Sequence, residues 1–205
     1  MYPLLEDDSC YFLAVDFDEA EWQKDASAFM RSCDELGVPA ALEISRSRQG
    51  AHVWIFFASR VSAREARRLG TAIISYTCNR TRQLRLGSYD RLFPNQDTMP
   101  KGGFGNLIAL PLQKRPRESG GSVFVDMNFQ PYSDQWAFLA SVIPMNVQNI
   151  EPTILRATGS IHPLDVNFIN EEDLGTPWEG KKSSGNRLNN SIAEPLKITL
   201  ANQIY

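Results

Sequence analysis

Hydrophobic and polar positions recur with two different periods along this chain, and each period predicts one kind of element. Over residues 19–36 the apolar side chains fall three or four positions apart, which is the spacing of one helix face. Over residues 39–44 they alternate with other side chains, which is the pattern of a strand. Applied to the whole chain, the two periods predict, in order, a strand over 10–16, a helix over 19–36, strands over 39–44 and 51–57, a helix over 62–79, strands over 87–93, 106–112 and 122–125, and a helix over 130–143.

The order of these elements predicts an α+β fold with a mixed or antiparallel sheet, because the strands are not each separated by a helix. Ser62 and Glu65 have the spacing of a capping box at the start of the second helix. Residues 114–121 are expected to form a basic, hairpin-like turn. Beyond about residue 150, small, polar and charged residues dominate, so we expect a folded domain over 1–150 and a linker or C-terminal extension over 151–205.

The composition is that of an ordinary globular protein: 205 residues, 42% hydrophobic and 22% charged. No apolar run is long enough for a membrane span, and the N-terminus lacks the basic and apolar regions of a signal peptide. The three cysteines are far apart in sequence and odd in number, which suggests a reducing compartment. We therefore expect a cytoplasmic protein that does not contact membranes.

Charge is distributed unevenly although the net charge is only −3. Residues 1–45 carry eleven acidic and two basic side chains, whereas residues 46–117 carry fourteen basic and three acidic ones. Because phosphate binding is local, this asymmetry favours a polyanion partner over a solvated basic helix face. Twelve of the fourteen basic residues are arginines, which make bidentate phosphate contacts; the candidates for nucleic-acid contact are Arg46, Arg82, Arg85 and Arg91.

Asp16 and Asp18 follow an apolar strand and are separated by one residue. Residues two apart in a strand point to the same face, so the two carboxylates are expected to lie side by side and to repel. A divalent cation between them removes the repulsion, and oxygen ligands suit Mg²⁺ or Mn²⁺. The alternative is a solvated acidic turn in which Asp18 caps the following helix.

A polar loop over residues 45–50 leads into a strand that contains His52. Hydroxyls, backbone N–H groups and arginines of such a loop can bind phosphate, and His52 could donate to a phosphate oxygen. His52 has apolar neighbours, so it could equally be a hydrogen-bonded core residue. Asp90 also follows an extended segment and could supply a third carboxylate, although alone it reads as an ordinary turn acid.

Taken in order, three short motifs resemble the archaeo-eukaryotic primase superfamily: Val-Asp-Phe-Asp (15–18), Ser-x-x-Gly-x-His (47–52), and a hydrophobic residue before Asp90. Three longer segments resemble the primase-polymerase domain of the TOTE conflict systems more closely. They are Ser-Tyr-Asp-Arg-Leu-Phe-Pro-Asn-Gln-Asp (88–97), Gly-Gly-Phe-Gly-Asn-Leu-Ile-Ala-Leu-Pro-Leu-Gln (102–113) and Asp-Gln-Trp-Ala-Phe-Leu (134–139). The similarity covers roughly residues 8–145.

The resemblance implies a nucleotidyltransferase, a DNA or RNA primase-polymerase, with an RRM-like module beside an N-terminal α/β unit. It implies that Asp16, Asp18 and Asp90 are catalytic and bind two Mg²⁺ or Mn²⁺ ions. Its implied partners are nucleoside triphosphates, a DNA template and primer or single-stranded DNA, and a helicase domain in the same full-length protein. The nucleotide contacts that it implies are Ser47, Arg48, His52, Lys101 and Gln113, with Asn106 as a weaker candidate.

The family pattern has a glycine after Ser47, where this chain has Arg48. An arginine there either adds a phosphate contact or crowds the loop.

Two other functions stay open at this point. The chain could be a non-catalytic module that binds single-stranded nucleic acid, although no strand carries an obvious aromatic RNA-binding pattern. It could also be a glycosyltransferase with an Asp-x-Asp metal site, which would leave the arginine-rich middle unexplained. A haloacid-dehalogenase phosphatase is set aside because Ala20 stands where that motif has threonine or valine.

Overall fold

The computed structural model describes residues 1–18, 20–82, 86–103 and 105–159, and within them five strands and five α-helices follow one another. The elements are β1 (Ser9–Asp18), α1 (Trp22–Glu35), β2 (Ala41–Ile44), β3 (Gly50–Ser62), α2 (Ala63–Thr81), β4 (Tyr89–Phe93), α3 (Lys114–Glu118), β5 (Val123–Val125), α4 (Gln135–Ser141) and α5 (Ile150–Thr158), with a 3₁₀ turn at Val147–Asn149.

The five strands form one antiparallel sheet in the order β4-β1-β3-β2-β5. Strand β1 is paired on both sides, along most of its length with β3 and at its C-terminal half with β4. The expected α+β class is therefore confirmed, with the antiparallel form of the sheet. The division into an RRM-like module and a separate α/β unit stays a prediction.

One face of the sheet, the helical face, packs against α1 and α2, and α5 packs on α2. Leu13, Val15 and Phe17 of β1 contribute to this core and are fully buried. Helix α2 comes especially close to the sheet at Gly70, where an added Cβ would lie 2.9 Å from a methyl group of Leu92. Burial of each large apolar side chain contributes about 1.5–3 kcal/mol, so this core supplies much of the fold's stability.

The opposite face, here called the site face, carries a second and smaller apolar cluster. Phe12, Trp54 and Phe124 meet there, and Phe138 of α4 packs on Phe124 with ring centroids 5.4 Å apart. This cluster covers only part of the face. The C-terminal end of β1 continues beyond it with polar residues, and the candidate site lies there.

The predicted capping box of α2 is present, with one difference. The Ser62 hydroxyl accepts a hydrogen bond from the backbone N–H of Glu65 at 3.2 Å and donates one to the Glu65 carboxylate at 2.6 Å. The Glu65 carboxylate thus accepts a hydrogen bond from the Ser62 hydroxyl, whereas in a standard capping box it accepts one from the backbone N–H of the serine. Helix α1 begins at Trp22, three residues later than predicted, because Glu21 before it adopts a left-handed conformation at φ 70°.

The strand predicted over residues 106–112 is wrong. Ile108 and Leu112 are buried while Leu107 and Leu110 are exposed. The apolar pattern therefore marks which side chains are buried in a segment that forms no strand. The backbone N–H of Ile108 bonds to Met1, and that of Leu112 bonds to Ser122. Pro111 has no N–H and Leu112 has φ 60°, and both features prevent a regular ladder.

Two further expectations need correction. Residues 114–121, expected as a hairpin-like turn, contain the one-turn helix α3; its proline, Pro116, stands in the first turn, where no N–H is needed. The helix expected over 130–143 is shorter, because Asp134 caps α4 by accepting hydrogen bonds from the N–H groups of Trp136 and Ala137. Residues before this cap are not helical.

Helix α5 was not predicted, although Ile150, Ile154 and Ala157 have helical spacing and are buried in the core. The core therefore continues past residue 150. The assignment of 151–205 as a linker or extension stays a prediction, and residues 160–205 lie outside the described part. None of the helices in that part is long and apolar enough to cross a membrane.

Ser62→Ala should lower the free energy of unfolding by about 1 kcal/mol, because the first turn of α2 loses its cap. For a domain of this size the loss corresponds to a fall of about 2–4 °C in melting temperature, measurable by circular dichroism. Arg64→Ala, on the exposed side of the same turn, is the control and should melt like the wild type. Equal melting of both variants would show that the cap contributes nothing.

Candidate metal centre and adjacent cleft

Three carboxylates converge on the site face at the end of β1. Val15 and Phe17 point into the helical-face core, so Asp16 and Asp18 point to the other side. Asp90 joins them from β4, the neighbouring strand. One oxygen from each of the three side chains lies within 4.8 Å of the others, so the predicted candidates are brought together.

Asp90 reaches this position because the start of β4 is fixed to two other elements. The buried carboxylate of Asp25 on α1 accepts hydrogen bonds from the Ser88 N–H at 3.0 Å and the Ser88 hydroxyl at 2.8 Å. The Ser88 carbonyl accepts a bond from the Asp18 N–H at 2.8 Å. Ser88 therefore connects α1, β1 and β4 two residues before Asp90.

Burial is the main reason why the pKa of Asp16 rises to about 6, from an ordinary value of 3.8. The neighbouring charges of Asp18 and Asp90 raise it further, while His52 opposes the shift. Among the described residues, Oδ1 of Asp16 is buried and accepts no hydrogen bond. The protein alone thus leaves a buried carboxylate oxygen without a hydrogen-bond donor.

These observations fit a divalent metal ion. The three side chains offer only oxygen donors, as Mg²⁺ and Mn²⁺ prefer, and the unbonded oxygen of Asp16 is the kind of atom that a cation would satisfy. In the structure Asp90 pairs with the Nε of Arg91 at 2.6 Å, which compensates part of the negative charge. We therefore treat Asp16, Asp18 and Asp90 as the candidate metal centre.

Asp18 is held in place by Gly50, its partner across β1 and β3. A Cβ on Gly50 would lie 2.2 Å from Oδ1 of Asp18 and 2.5 Å from the Phe17 carbonyl oxygen. Only glycine therefore fits opposite this carboxylate. The alternative role of Asp18 as a helix cap is wrong, because Glu21 occupies the N-cap position of α1.

His52 lies next to the three carboxylates and is also part of a buried polar network. It is opposite Asp16 in the strand register, with its Nε2 3.4 Å from Oδ1 of Asp16. Its Nδ1 is 3.1 Å from the Glu43 carboxylate. Burial alone lowers the pKa of His52, but Glu43, through its hydrogen bond and charge, together with Asp16 outweighs burial, so the pKa lies above 6.5. His52 is therefore both a hydrogen-bonded core residue and a neighbour of the candidate metal centre, so both interpretations of the sequence apply.

The loop between β2 and β3 forms one side of an open cleft of about 650 Å³ beside Asp18. Ser47 and Arg48 line it together with Asp18, Ala20, Glu21, Trp22 and Gln49. The Ser47 hydroxyl accepts a hydrogen bond from the Gln49 N–H at 3.2 Å, which fixes the turn. Two of the predicted nucleotide contacts therefore lie in a cleft that adjoins the candidate metal centre.

Arg48 has φ 64°, the left-handed conformation that glycine adopts without strain. The family's glycine at this position thus has a conformational reason. The Arg48 guanidinium donates a hydrogen bond to the Ser119 carbonyl at 3.1 Å, so the side chain links the loop to the segment after α3.

Five arginines of residues 46–117 make ion pairs, three of them with acidic residues from other parts of the chain. Among the twelve arginines of this segment, five make ion pairs to described residues: Arg60 with Asp7, Arg67 with Asp97, Arg68 with Glu151, Arg80 with Glu35, and Arg91 with Asp90. The charge asymmetry of the sequence is therefore partly cancelled in the fold. The basic side chains that make no ion pair to a described residue include Arg46 and Arg48 of the loop and Lys114, Arg115 and Arg117 of α3. The segment that follows α3 contacts the loop, through the bond between Arg48 and Ser119.

The remaining predicted contacts are less closely gathered. Lys101 is exposed and is not among the residues that line the cleft. The backbone N–H of Gln113 donates to the Ser122 hydroxyl at 3.2 Å, near Glu43. Arg82 is the exposed residue that ends α2, and Arg85 lies outside the described residues. The roles proposed for these residues, and for Asn106, stay predictions.

Two acidic residues of the site were missed by the sequence analysis. Asp25 stands among apolar residues on the inner side of α1, and Glu43 stands in the short apolar strand β2. In each case the available signal was an acid inside an apolar pattern, which predicts a buried partner.

The fold and the site together define the class of protein. It is an α+β domain with a carboxylate cluster at one sheet edge, beside a cleft lined by a serine and an arginine. The family model for the archaeo-eukaryotic primase domain of the TOTE conflict system matches residues 1–153. The chain belongs to this family, as its motifs indicated. A search of curated proteins finds no match.

Gly50→Ala should weaken Mn²⁺ binding at least tenfold, because the new methyl group displaces Asp18, and should destabilise the fold by about 1–3 kcal/mol through overpacking. Titration calorimetry and thermal melting measure the two effects. Gly87→Ala is the control, since a Cβ there meets no atom within 4 Å. Unchanged Mn²⁺ affinity in Gly50→Ala would contradict the role of Asp18.

Asp16→Asn should stabilise the metal-free protein at pH 7.5. The folded protein holds the Asp16 proton more tightly than the unfolded chain, so ionisation above pH about 6 lowers the free energy of unfolding. The destabilisation caused by the Asp16 charge decreases as the pH falls from about 6 towards 3.8. The difference in free energy of unfolding between the variant and the wild type should decrease with it.

Denaturant unfolding across this pH range measures the effect. Added Mn²⁺ should stabilise the wild type and not the variant. A variant that is less stable than the metal-free wild type at pH 7.5 would contradict the raised pKa.

Proposed function

We propose that this domain is a template-directed nucleotidyltransferase, a primase-polymerase that adds nucleotides to a 3′-hydroxyl with Mg²⁺ or Mn²⁺. The observation that carries the proposal is the convergence of Asp16, Asp18 and Asp90 within 4.8 Å of one another. They come from two strands far apart in sequence, and the cleft beside them offers groups that bind phosphate. Membership of the primase-like family supports the same reaction class.

Asp16, Asp18 and Asp90 would hold two divalent ions in this proposal. When bound, such ions activate the attacking hydroxyl and stabilise the charge of the triphosphate and the leaving pyrophosphate. The unbonded Oδ1 of Asp16 supports its role as a ligand. Arg91, now paired with Asp90, is close enough to balance charge at the same edge of the site.

The cleft beside Asp18 would hold the triphosphate of the incoming nucleotide. Its volume of about 650 Å³ lies within the range of about 300–1,000 Å³ that is usual for small-molecule sites. Ser47 and Arg48 line it and provide a hydroxyl and a guanidinium. His52, with Nε2 directed at Asp16, would contact a phosphate at the metal end of the site.

The partner that we propose is single-stranded DNA or a primed DNA template. Arg46 and Arg48 of the loop, and Lys114, Arg115 and Arg117 of α3, make no ion pairs to described residues, and the Arg48–Ser119 bond joins the two segments, which would together offer a basic surface. Such a surface suits a phosphate backbone. The helicase domain expected in the full-length protein remains part of the proposal and would supply unwound strands.

Asp16→Ala and Asp18→Ala should each abolish nucleotide incorporation, a loss of at least a thousandfold, because the remaining carboxylates hold the ions poorly. A primed oligonucleotide with Mn²⁺ or Mg²⁺ and all four nucleotides, resolved on a gel, measures extension. Binding to single-stranded DNA, measured by fluorescence anisotropy, should stay within about twofold and should weaken steeply with salt.

Asp34→Ala removes an exposed carboxylate from α1 and is the matched control, with extension expected at the wild-type rate. Extension that survives both active-site substitutions would overturn the proposed reaction. Salt-sensitive DNA binding by a wild-type chain that never extends a primer would favour the alternative, a non-catalytic module that binds single-stranded nucleic acid.

A further inference from the structure

Glu43 is a buried acid on the site face that the proposed reaction does not use. It lies in β2, and its exposed fraction is 2%. An ionised carboxylate at such a position costs several kcal/mol unless other groups compensate it. Glu43 therefore needs polar partners.

Three polar groups meet its carboxylate. Oε2 lies 3.1 Å from Nδ1 of His52 and accepts a hydrogen bond from the indole N–H of Trp54 at 2.6 Å. Oε1 accepts one from the Ser122 hydroxyl at 3.2 Å. Two of these partners belong to β3 and the third is the residue before β5, so the carboxylate is held from two sides.

The strand register sets the direction of the imidazole ring. His52 of β3 is opposite Glu43 of β2 on one side and opposite Asp16 of β1 on the other. Nδ1 consequently faces Glu43, and Nε2 faces Asp16 at 3.4 Å. A carboxylate without a proton only accepts hydrogen bonds, so the geometry requires a proton on Nδ1.

We propose that Glu43 is a positioning residue that keeps a proton on Nδ1 of His52 and fixes the ring so that Nε2 faces the metal centre, where Nε2, carrying a proton of its own, donates to the nucleotide phosphate. This role rests on the proposed function. The same arrangement is familiar from histidines that bind metals or phosphates, in which the second ring nitrogen donates to a carboxylate. Glu43 acts through His52 and need not touch the nucleotide.

Two substitutions separate this role from simple packing. Glu43→Gln keeps an acceptor oxygen for His52 and Trp54, and its amide can donate to the Ser122 hydroxyl, so it is the conservative variant. Glu43→Leu removes the acceptor altogether. Ser122→Ala is the matched control, because it removes the partner of Oε1 and leaves the oxygen that meets His52 untouched.

Nuclear magnetic resonance of the imidazole nitrogens gives the first readout, on the metal-free protein. The chain has two histidines, His52 and His162, so a His162→Ala background leaves the signals of His52 alone. We expect the proton on Nδ1 in the wild type, Glu43→Gln and Ser122→Ala, and on Nε2 in Glu43→Leu. A proton on Nε2 with a bare Nδ1 in the wild type, or an unchanged pattern in Glu43→Leu, would overturn the inference.

Nucleotide affinity gives the second readout, measured by calorimetry with dATP and Mn²⁺. Glu43→Leu should bind about tenfold more weakly than the wild type, and Glu43→Gln should stay within about threefold, as expected when one hydrogen bond is lost or kept. The double variant Glu43→Leu/His52→Ala should bind no more weakly than His52→Ala, because both changes remove the same interaction. Additive losses would show that Glu43 acts independently of His52.

The two proposals fail in different ways. A wild-type chain that binds no nucleotide overturns the proposed function, and this inference with it. A chain that binds nucleotide equally well with leucine or glutamate at position 43 overturns the positioning role alone. Circular dichroism of Glu43→Leu shows whether weaker binding comes from loss of the fold. If Glu43→Leu is unfolded, the imidazole spectrum of the wild type decides, because an Nδ1 without a proton there overturns the role.

Discussion

The two-residue period of β1 is the constraint on which the rest of the structure depends. Val15 and Phe17 are completely buried on the helical face, so Asp16 and Asp18 must point to the opposite face. A shift of one residue in the pairing with β3 would bury both carboxylates in the core and expose the apolar pair. The free energy of the core thus fixes the geometry of the site, and the same residues that stabilise the fold keep the acids in register with His52 and Gly50.

The three carboxylates of the candidate metal centre oppose the stability of the metal-free fold. Asp16 is buried beside two other acids. Its pKa of about 6 means that its ionised form is less favourable in the folded protein than in the unfolded chain. His52, placed between Asp16 and Glu43, supplies the nearest compensation on the β3 side. Proteins often keep such unfavourable groups where function requires them and compensate with stability elsewhere. Here the compensation comes from an extensive apolar core on the other face of the same sheet.

Local patterns were enough to predict most strands and helices and the three acids of the cluster, because periodicity and short motifs are properties of neighbouring residues. Contacts between distant segments were not predictable in this way. The burial of Glu43 depends on Trp54 and Ser122, and the partner of Asp25 is 63 positions away at Ser88. The strand wrongly predicted over 106–112 also depends on distant contacts. Its side chains are alternately buried against other segments, but its backbone pairs with no strand. Ion pairs across the chain likewise cancel charges that the sequence shows as a block.

The left-handed backbone of Arg48 has a consequence for how the cleft could be transferred to another protein. A non-glycine residue in this conformation costs roughly 1–2 kcal/mol, and here the side chain is bonded to Ser119, which lies 71 residues further along the chain. Gly121 also sits so close to the Arg46 carbonyl that a side chain would collide with it at 2.9 Å. The loop between β2 and β3 is therefore only half of a structural unit. Grafted alone onto a new scaffold, the loop would lack the segment that holds its shape. If both segments were moved together, the contacts between them would keep the loop in its conformation.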